Sequence, residues 1–410
     1  MRRPEEKFEI ELNQLKNLLC AVRTCLQKGG NYLVNRITPN GPIMNERCLE
    51  YIHKPCWGMY VAGVDRKTVG RMLDWTKDNA LHPNGDLYFS EESLAYRNRQ
   101  RVYRALTLLK IAAWIDHPLS RNELVINRIL QYQHKSGGVF NYVGEDPNKV
   151  EEQPFIGSLD TSFFGHLMVA LARKKEAIRA GEWIKRFVEA NQDYILREGR
   201  MYTNVTLEGE LVTEVKKGER YTKTVDNANP KQEFWQVGTS MAYLAVLYDT
   251  MRQDWGCSEQ DAQPFLKAAL TLLNFEATMP LYTYYWPSKC KVAWGAGELL
   301  RILVKYGGTE DQIEKASKIA KLVAVHTFID HQLGNGGWPP MHYPLSDNEP
   351  AVEYDYHPLY DLVNVPCHAI SGSNTIFLPA EAITGEFLGE IRSVELGISK
   401  QIEYYENKLK

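Results

Sequence analysis

Along this chain an apolar helix alternates with a charged, amphipathic one, and most pairs close on a turn carrying glycine and an aromatic residue. The first pair runs from about Cys56 through Asp74-Trp75 to Pro83-Asn84-Gly85, and the second from Tyr103 through Ile126 to Gly137-Gly138-Val139-Phe140. The third opens at Leu159-Asp160, the fourth at Glu233-Phe234-Trp235, and the fifth at Lys291-Val292-Ala293-Trp294. A sixth apolar helix is expected near Thr375 to Leu388, followed by a separate charged helix from Val394 to Lys410. Cycles of roughly fifty to sixty residues are what tandem helical hairpins produce, because a single hairpin cannot bury its apolar side alone. The expected fold is all-α: an (α/α)6 toroid of tandem hairpins, one domain over residues 1–410. The N-terminal helix is placed against the last inner helix to close the ring. Strand character is confined to short pieces such as Met201 to Glu214, read as a β-hairpin and loop insertion spanning 199–232.

Composition narrows the function. The 410 residues carry a formal charge of -3 and are 44% hydrophobic, enough for a large core and without the basic excess of a nucleic-acid binder. No apolar run approaches the roughly 18–20 residues of a membrane span, and the N-terminus lacks the apolar stretch of a signal peptide. A cytoplasmic address is the expectation, with a small molecule as partner and the oligomeric state open. Seven scattered cysteines without a CxxC pair signal neither a disulfide framework nor a structural zinc site. No GxGxxG, GxxxxGK[ST] or HExxH pattern occurs, so no cofactor and no metal are expected.

Two turns carry a resemblance. Gln133-His-Lys-Ser-Gly-Gly-Val-Phe140 and Gln332-Leu-Gly-Asn-Gly-Gly-Trp338 share a Q-x3-G-G-apolar pattern at the end of an outer helix. This is similar to the repeat turns of the terpenoid cyclase and protein prenyltransferase α/α toroids. The resemblance implies that the glutamine holds the helix end while the glycine pair lets an aromatic tuck against the next helix. It also implies the ring fold. The chain departs from those families in its chemistry: it has neither the DxDD acid nor a DDxxD diphosphate motif, and no prenyltransferase zinc ligands can be placed. Sugar epimerases, unsaturated glucuronyl hydrolases and linalool dehydratase-isomerase are similar in plan.

Parallel inner helices bring their N-terminal ends to one mouth, where the site is expected. Asp160, at the start of the third inner helix, is a candidate general acid or else a helix N-cap. Glu233, His342 and His368 are further candidate acids or bases, and His166 reads as a satisfied core histidine. Trp57, Phe164, Trp235, Tyr284, Trp286, Lys291, Trp294, Trp338, Tyr343 and His357 are candidates to line a substrate pocket, since electron-rich rings hold cations and flat substrates. Arg97, Arg99, Arg101 and Arg104 read as a solvated helix entrance. The expected activity is cofactor-independent cyclisation, isomerisation or dehydration of a hydrophobic terpenoid- or polyketide-like molecule. The alternatives are a carbohydrate-active ring enzyme (epimerase, hydrolase or lyase) and a non-catalytic helical scaffold. An oily pocket with one or two acids favours the first, an open carboxylate-lined groove the second, and a filled centre the third.

Overall fold

A computed structural model describes residues 4–44, 46–92, 101–140, 155–229, 232–344 and 375–409. Six inner helices form the wall: α2 (His53–Val61), α4 (Arg101–Trp114), α6 (Ser158–Ala170), α8 (Trp235–Gln253), α10 (Cys290–Tyr306) and α12 (Ala380–Lys408). Each packs on the next, and α12 packs on α2, so the circle closes. The outer helices are α3 (Arg66–Ala80), α5 (Glu123–Leu130), α7 (Lys174–Glu198), α9 (Glu259–Ala277), α11 (Glu310–Val323) and α1 (Pro4–Val34).

Sequence explains which helix goes where. In α6, apolar or small residues surround the axis and a continuous run from Thr161 to Met168 is buried, so the helix must be covered on all sides. In α7, burial falls on Ala177, Ala180, Gly181, Ile184, Phe187, Val188 and Asn191, the single stripe of an amphipathic helix. Capping follows the same division except at α7, an outer helix without a side-chain cap. Asp65, Asn122, Ser258 and Thr309 cap α3, α5, α9 and α11 through side-chain hydrogen bonds. No side-chain cap serves α2, α6, α8, α10 or α12, so polar residues in their first turns are left for other contacts.

The inner helices approach closely because glycines meet backbone. A methyl carbon added at Gly58 would lie 2.6 Å from Gly385 Cα, and one at Gly385 would lie 2.3 Å from the Lys54 carbonyl carbon. Gly238 meets Lys291 in the same way at 2.2 Å, and Gly297 meets Ser393 at 2.5 Å. Since backbone cannot rotate aside, Gly385→Ala is expected to cost about 1–3 kcal/mol or more. Thermal denaturation would show it; an unchanged midpoint would mean that α2 and α12 can slide apart.

The repeat turn is more widespread than its sequence pattern. After Ile37, Leu81, Gln133, Val205 and Gln332, the next amide donates to the carbonyl four residues on, and the glycine amide (Gly41, Gly85, Gly137, Gly209, Gly336) closes back. All of those glycines have positive φ, which only glycine adopts without strain. Gln133 donates to the carbonyls of Gly137 and of Glu176 on α7, and Gln332 to those of Gly336 and of Cys25 on α1. Trp183 and Tyr32 lie against Gly138 and Gly337.

Several expectations are corrected. The C-terminal segment is one helix, Ala380–Lys408, rather than an apolar helix and a separate charged one; α1 takes the sixth outer place, packed on α12. Within 199–232 the expected hairpin is present as a tight turn in which Val205 bridges Leu211, but β2 (Arg200–Tyr202) pairs with β4 (Thr224–Asp226) and β3 (Asn204–Thr206) with β1 (Phe155–Gly157) beside α6. Arg104 is not solvated: it is buried against Glu92 and Glu50. Cys48 is disulfide-bonded, although spacing signalled no disulfide. Arg97 and Arg99 lie outside the described residues. No helix among the described residues is long and apolar enough to cross a membrane.

Candidate functional site

The first turns of α2 and α10, the second and third turns of α12 and the short turn before α2 place a tier of charge inside the ring. From α2, Lys54 Nζ lies 2.7 Å from Glu386 of α12 and 3.6 Å from Glu50. From α10, Lys291 pairs with Glu386 and, at 3.0 Å, with Glu390. Glu386 and Glu390 are one helical turn apart, so Lys291 reaches both carboxylates while Lys54 pairs with Glu386. Glu50 also contacts His53 at 3.0 Å. Burial opposes ionisation of Glu50, but His53, Lys54 and Arg104 hold its carboxyl well below the usual range. Burial lowers His53 to about 4 against the pull of Glu50, so at neutral pH the contact is a hydrogen bond to a neutral imidazole. Cys290, Glu386 and Glu390 lie close enough to share an ion. The fit is poor, because burial and Glu390 push the Cys290 thiol far up and Lys54 and Lys291 already occupy the carboxylates.

Asp160 stands apart from this paired network. It lies in the first turn of α6, but the N-cap is Gly157, and α6 has no side-chain cap bond. Its Oδ1 is buried with no hydrogen-bond partner, and burial raises its carboxyl to about 7. Its charge acts on the phenol of Tyr103. Glu233 sits at the same mouth: Ser158 donates to Gln236 Oε1 at 2.8 Å, and Gln236 Nε2 donates to Glu233 Oε2 at 3.2 Å.

Below the charged tier, rings fill the axis. Trp57 meets Trp294 at 5.2 Å and Phe163 at 6.4 Å, and Phe163 meets Trp294 at 5.6 Å and Tyr103 at 4.6 Å. His166 stacks on Trp294 at 4.6 Å, and its Nε2 has no partner. It is not the satisfied core histidine that sequence suggested. Beneath these rings a cavity of about 930 Å³ opens at the opposite mouth, by the C-terminal ends of α2, α4 and α6. Trp57, Tyr60, Trp114, His166 and Trp294 line it, with Arg23, Arg66, Arg392, Glu298 and Glu395. The site was expected at the N-terminal mouth, whereas this cavity lies at the other end.

The candidates therefore divide. Trp57 and Trp294 meet on the axis, Lys291 joins the charged tier through Glu386 and Glu390, and Asp160 is buried in the first turn of α6. Phe163 joins the central rings, whereas Phe164 is simply buried. Tyr284 donates to the Glu276 carbonyl, Trp286 to Gln232 and Trp338 to Phe328, so all three are turned into the packing between helices. Trp235 is half-buried at the start of α8. His342 and Tyr343 lie on β5 (Met341–Pro344), which pairs with β6 (Thr375–Leu378); His357 and His368 lie outside the described residues. Sequence reasoning passed over Glu50, Lys54, Lys110, Glu386 and Glu390, for charge on a helix reads as solvent-facing.

No family model matches the chain, and no curated protein sequence does. Solved structures do. One is a type II terpene cyclase variant from Scytonema, 13% identical, TM-score 0.48, covering 96% of this chain and 99% of that one. Another is a possible GH105 family member from Salmonella enterica serovar Paratyphi A, 12% identical, TM-score 0.45, covering 97% and 95%. A third is an unsaturated glucuronyl hydrolase specific for heparin, 10% identical, TM-score 0.49, covering 92% and 96%. At such identities and scores the likeness carries no argument about activity. The all-helical ring stands on the helices themselves.

Proposed function

We propose that the chain is an acid–base enzyme acting on a small, polar, carbohydrate-like molecule at the N-terminal tier, with Asp160 as proton donor. The observation that carries this reading is Asp160 itself, a buried carboxyl in the first turn of α6 that caps nothing, has an Oδ1 without a partner and is raised by burial to about 7. Glu50 in the neighbouring network, by contrast, is held ionised by Lys54 and Arg104. Environments that push two carboxyls apart are how one site assigns acid and base roles. The neighbouring tier of Glu50, Lys54, Lys291, Glu386 and Glu390 is ionic, which suits hydroxyl-bearing substrates. A second reading, cyclisation or isomerisation of a hydrophobic terpenoid- or polyketide-like molecule, draws on the Trp57–Phe163–Trp294 rings, whose faces suit a developing cation.

The test is a parallel screen of wild type and Asp160→Asn against saturated and unsaturated oligosaccharides, and against polyprenyl alcohols, followed by mass spectrometry. Turnover of a saccharide by wild type that is lost in the variant is the expected result. Turnover confined to the polyprenyl alcohols would replace this reading with the second. Turnover of neither would leave the scaffold reading standing.

A further inference from the structure

Lys110, in the middle of α4, is the one side chain among those described whose buried amine is both boxed by rings and free of any hydrogen-bond partner. Its Nζ lies 4.1 Å from the centroid of Trp57, 4.9 Å from Trp114, 5.1 Å from Trp294 and 5.3 Å from Phe163. Three of those rings, Trp57, Trp114 and Trp294, also line the 930 Å³ cavity, as does His166. Trp114 stands one helical turn from Lys110 toward the open mouth and stacks on Tyr60; at 38% exposure it is the one ring of the four that reaches solvent.

We propose that Lys110 is a nucleophile that condenses with the carbonyl of an aldehyde or ketone entering this cavity past Trp114, forming an imine. The lone pair of Nζ adds to the carbonyl carbon. The carbonyl oxygen gathers both amine hydrogens and leaves as water, giving a C=N bond with no oxidant or reductant consumed. The step needs a neutral amine in an apolar setting, the arrangement by which lysines become Schiff-base catalysts. Burial, followed by the charge of Lys291 on α10, lowers Lys110 to about 7, against the opposing pull of Glu390 on α12 and Glu298 on α10. His166 on α6, which lines the same cavity, is held neutral by burial and by the charge of Lys110, so no second cation competes there. No hydrogen bond ties Nζ to any of these groups, so nothing fixes the amine in place, and its neutral fraction has a lone pair open to a carbonyl. The inference is separate from the role of Asp160, which lies at the other mouth.

The experiment treats the whole chain at pH 7 with benzaldehyde and sodium cyanoborohydride, and maps reduced adducts by peptide mass spectrometry. Surface lysines are almost entirely protonated at that pH, so Lys110 is expected to label at least about tenfold faster than they do. Trp114→Ala should speed its labelling further, and Lys110→Met should lose that adduct alone. The Lys110 rate should fall as pH drops from 8 to 6. If Lys110 stays unlabelled, or labels no faster than surface lysines, in both wild type and a folded Trp114→Ala variant, the proposal is wrong and the amine is only a packed cation. Because labelling requires no turnover, this outcome is independent of the substrate screen.

Discussion

Asp160→Asn is expected to lower turnover by about a hundredfold or more, and at the same time to make the folded protein more stable above neutral pH. The two effects share one cause. The carboxyl is raised from 3.8 to about 7 by burial, so in the folded state it stays protonated at pH values where the unfolded chain has released that proton. The protonated form therefore supports the fold fully below about pH 4, and that support is lost as pH rises through 7. At about 1.4 kcal/mol per pKa unit the loss amounts to a few kcal/mol. Asparagine keeps the size, carries no proton to lose, and should flatten stability across the pH 4–7 window. Urea unfolding at pH 4, 6 and 8, alongside a rate measurement on the substrate found, checks both. Normal turnover would remove Asp160 from the chemistry. An unchanged pH profile of stability would show that its carboxyl is ionised in the folded state after all.

Lys289→Met is expected to destabilise the protein by about 3–5 kcal/mol. Lys289 and Glu276 form an ion pair with both side chains fully buried. Burial pushes the carboxyl up and the amine down, and the charge of each partner opposes that shift in the other. Lys289 also rests 3.6 Å over the ring of Phe234, the residue that precedes α8. Removing the amine leaves a buried carboxylate with nothing to balance it. Removing both partners in Lys289→Met/Glu276→Leu should recover most of the loss, since an apolar pair of similar volume needs no desolvation. A double-mutant cycle in urea measures this. A single-variant loss below about 1 kcal/mol would show that water reaches the pair. The pair bears on function as well, because Lys289 is the N-cap residue of α10, whose first turns carry Lys291 and Trp294.

Helix periodicity made the ring legible. The apolar circumference of α6 and the single stripe of α7 require an inside and an outside place, whatever the neighbours are. The turns were legible in part. Five share one backbone path, but only two share glutamine and a glycine pair, because the path needs little more than one glycine at positive φ. The end of the chain misled: α12 turns from apolar to charged where it leaves the ring wall, and that change resembles a helix boundary although the backbone continues.

The site divides along the same line. Asp160 could be picked out because an acid before an apolar run is conspicuous, yet cap and catalyst look alike in sequence; only the uncapped start of α6 and the partnerless Oδ1 separate them. Nothing local marks Lys54 and Glu386 as partners, since they are brought within 2.7 Å only by closure of α12 onto α2. A lysine or glutamate on a helix ordinarily seeks water, and periodicity therefore assigns Lys54, Lys110, Glu386 and Glu390 to the surface. Sequence by itself determined the number of hairpins and which helix of each faces inward, because burial of an apolar side is a local demand. Which charges end up inside, and in what state of protonation, was decided by the tertiary structure, because the energy of a buried charge depends on neighbours that the chain order does not reveal.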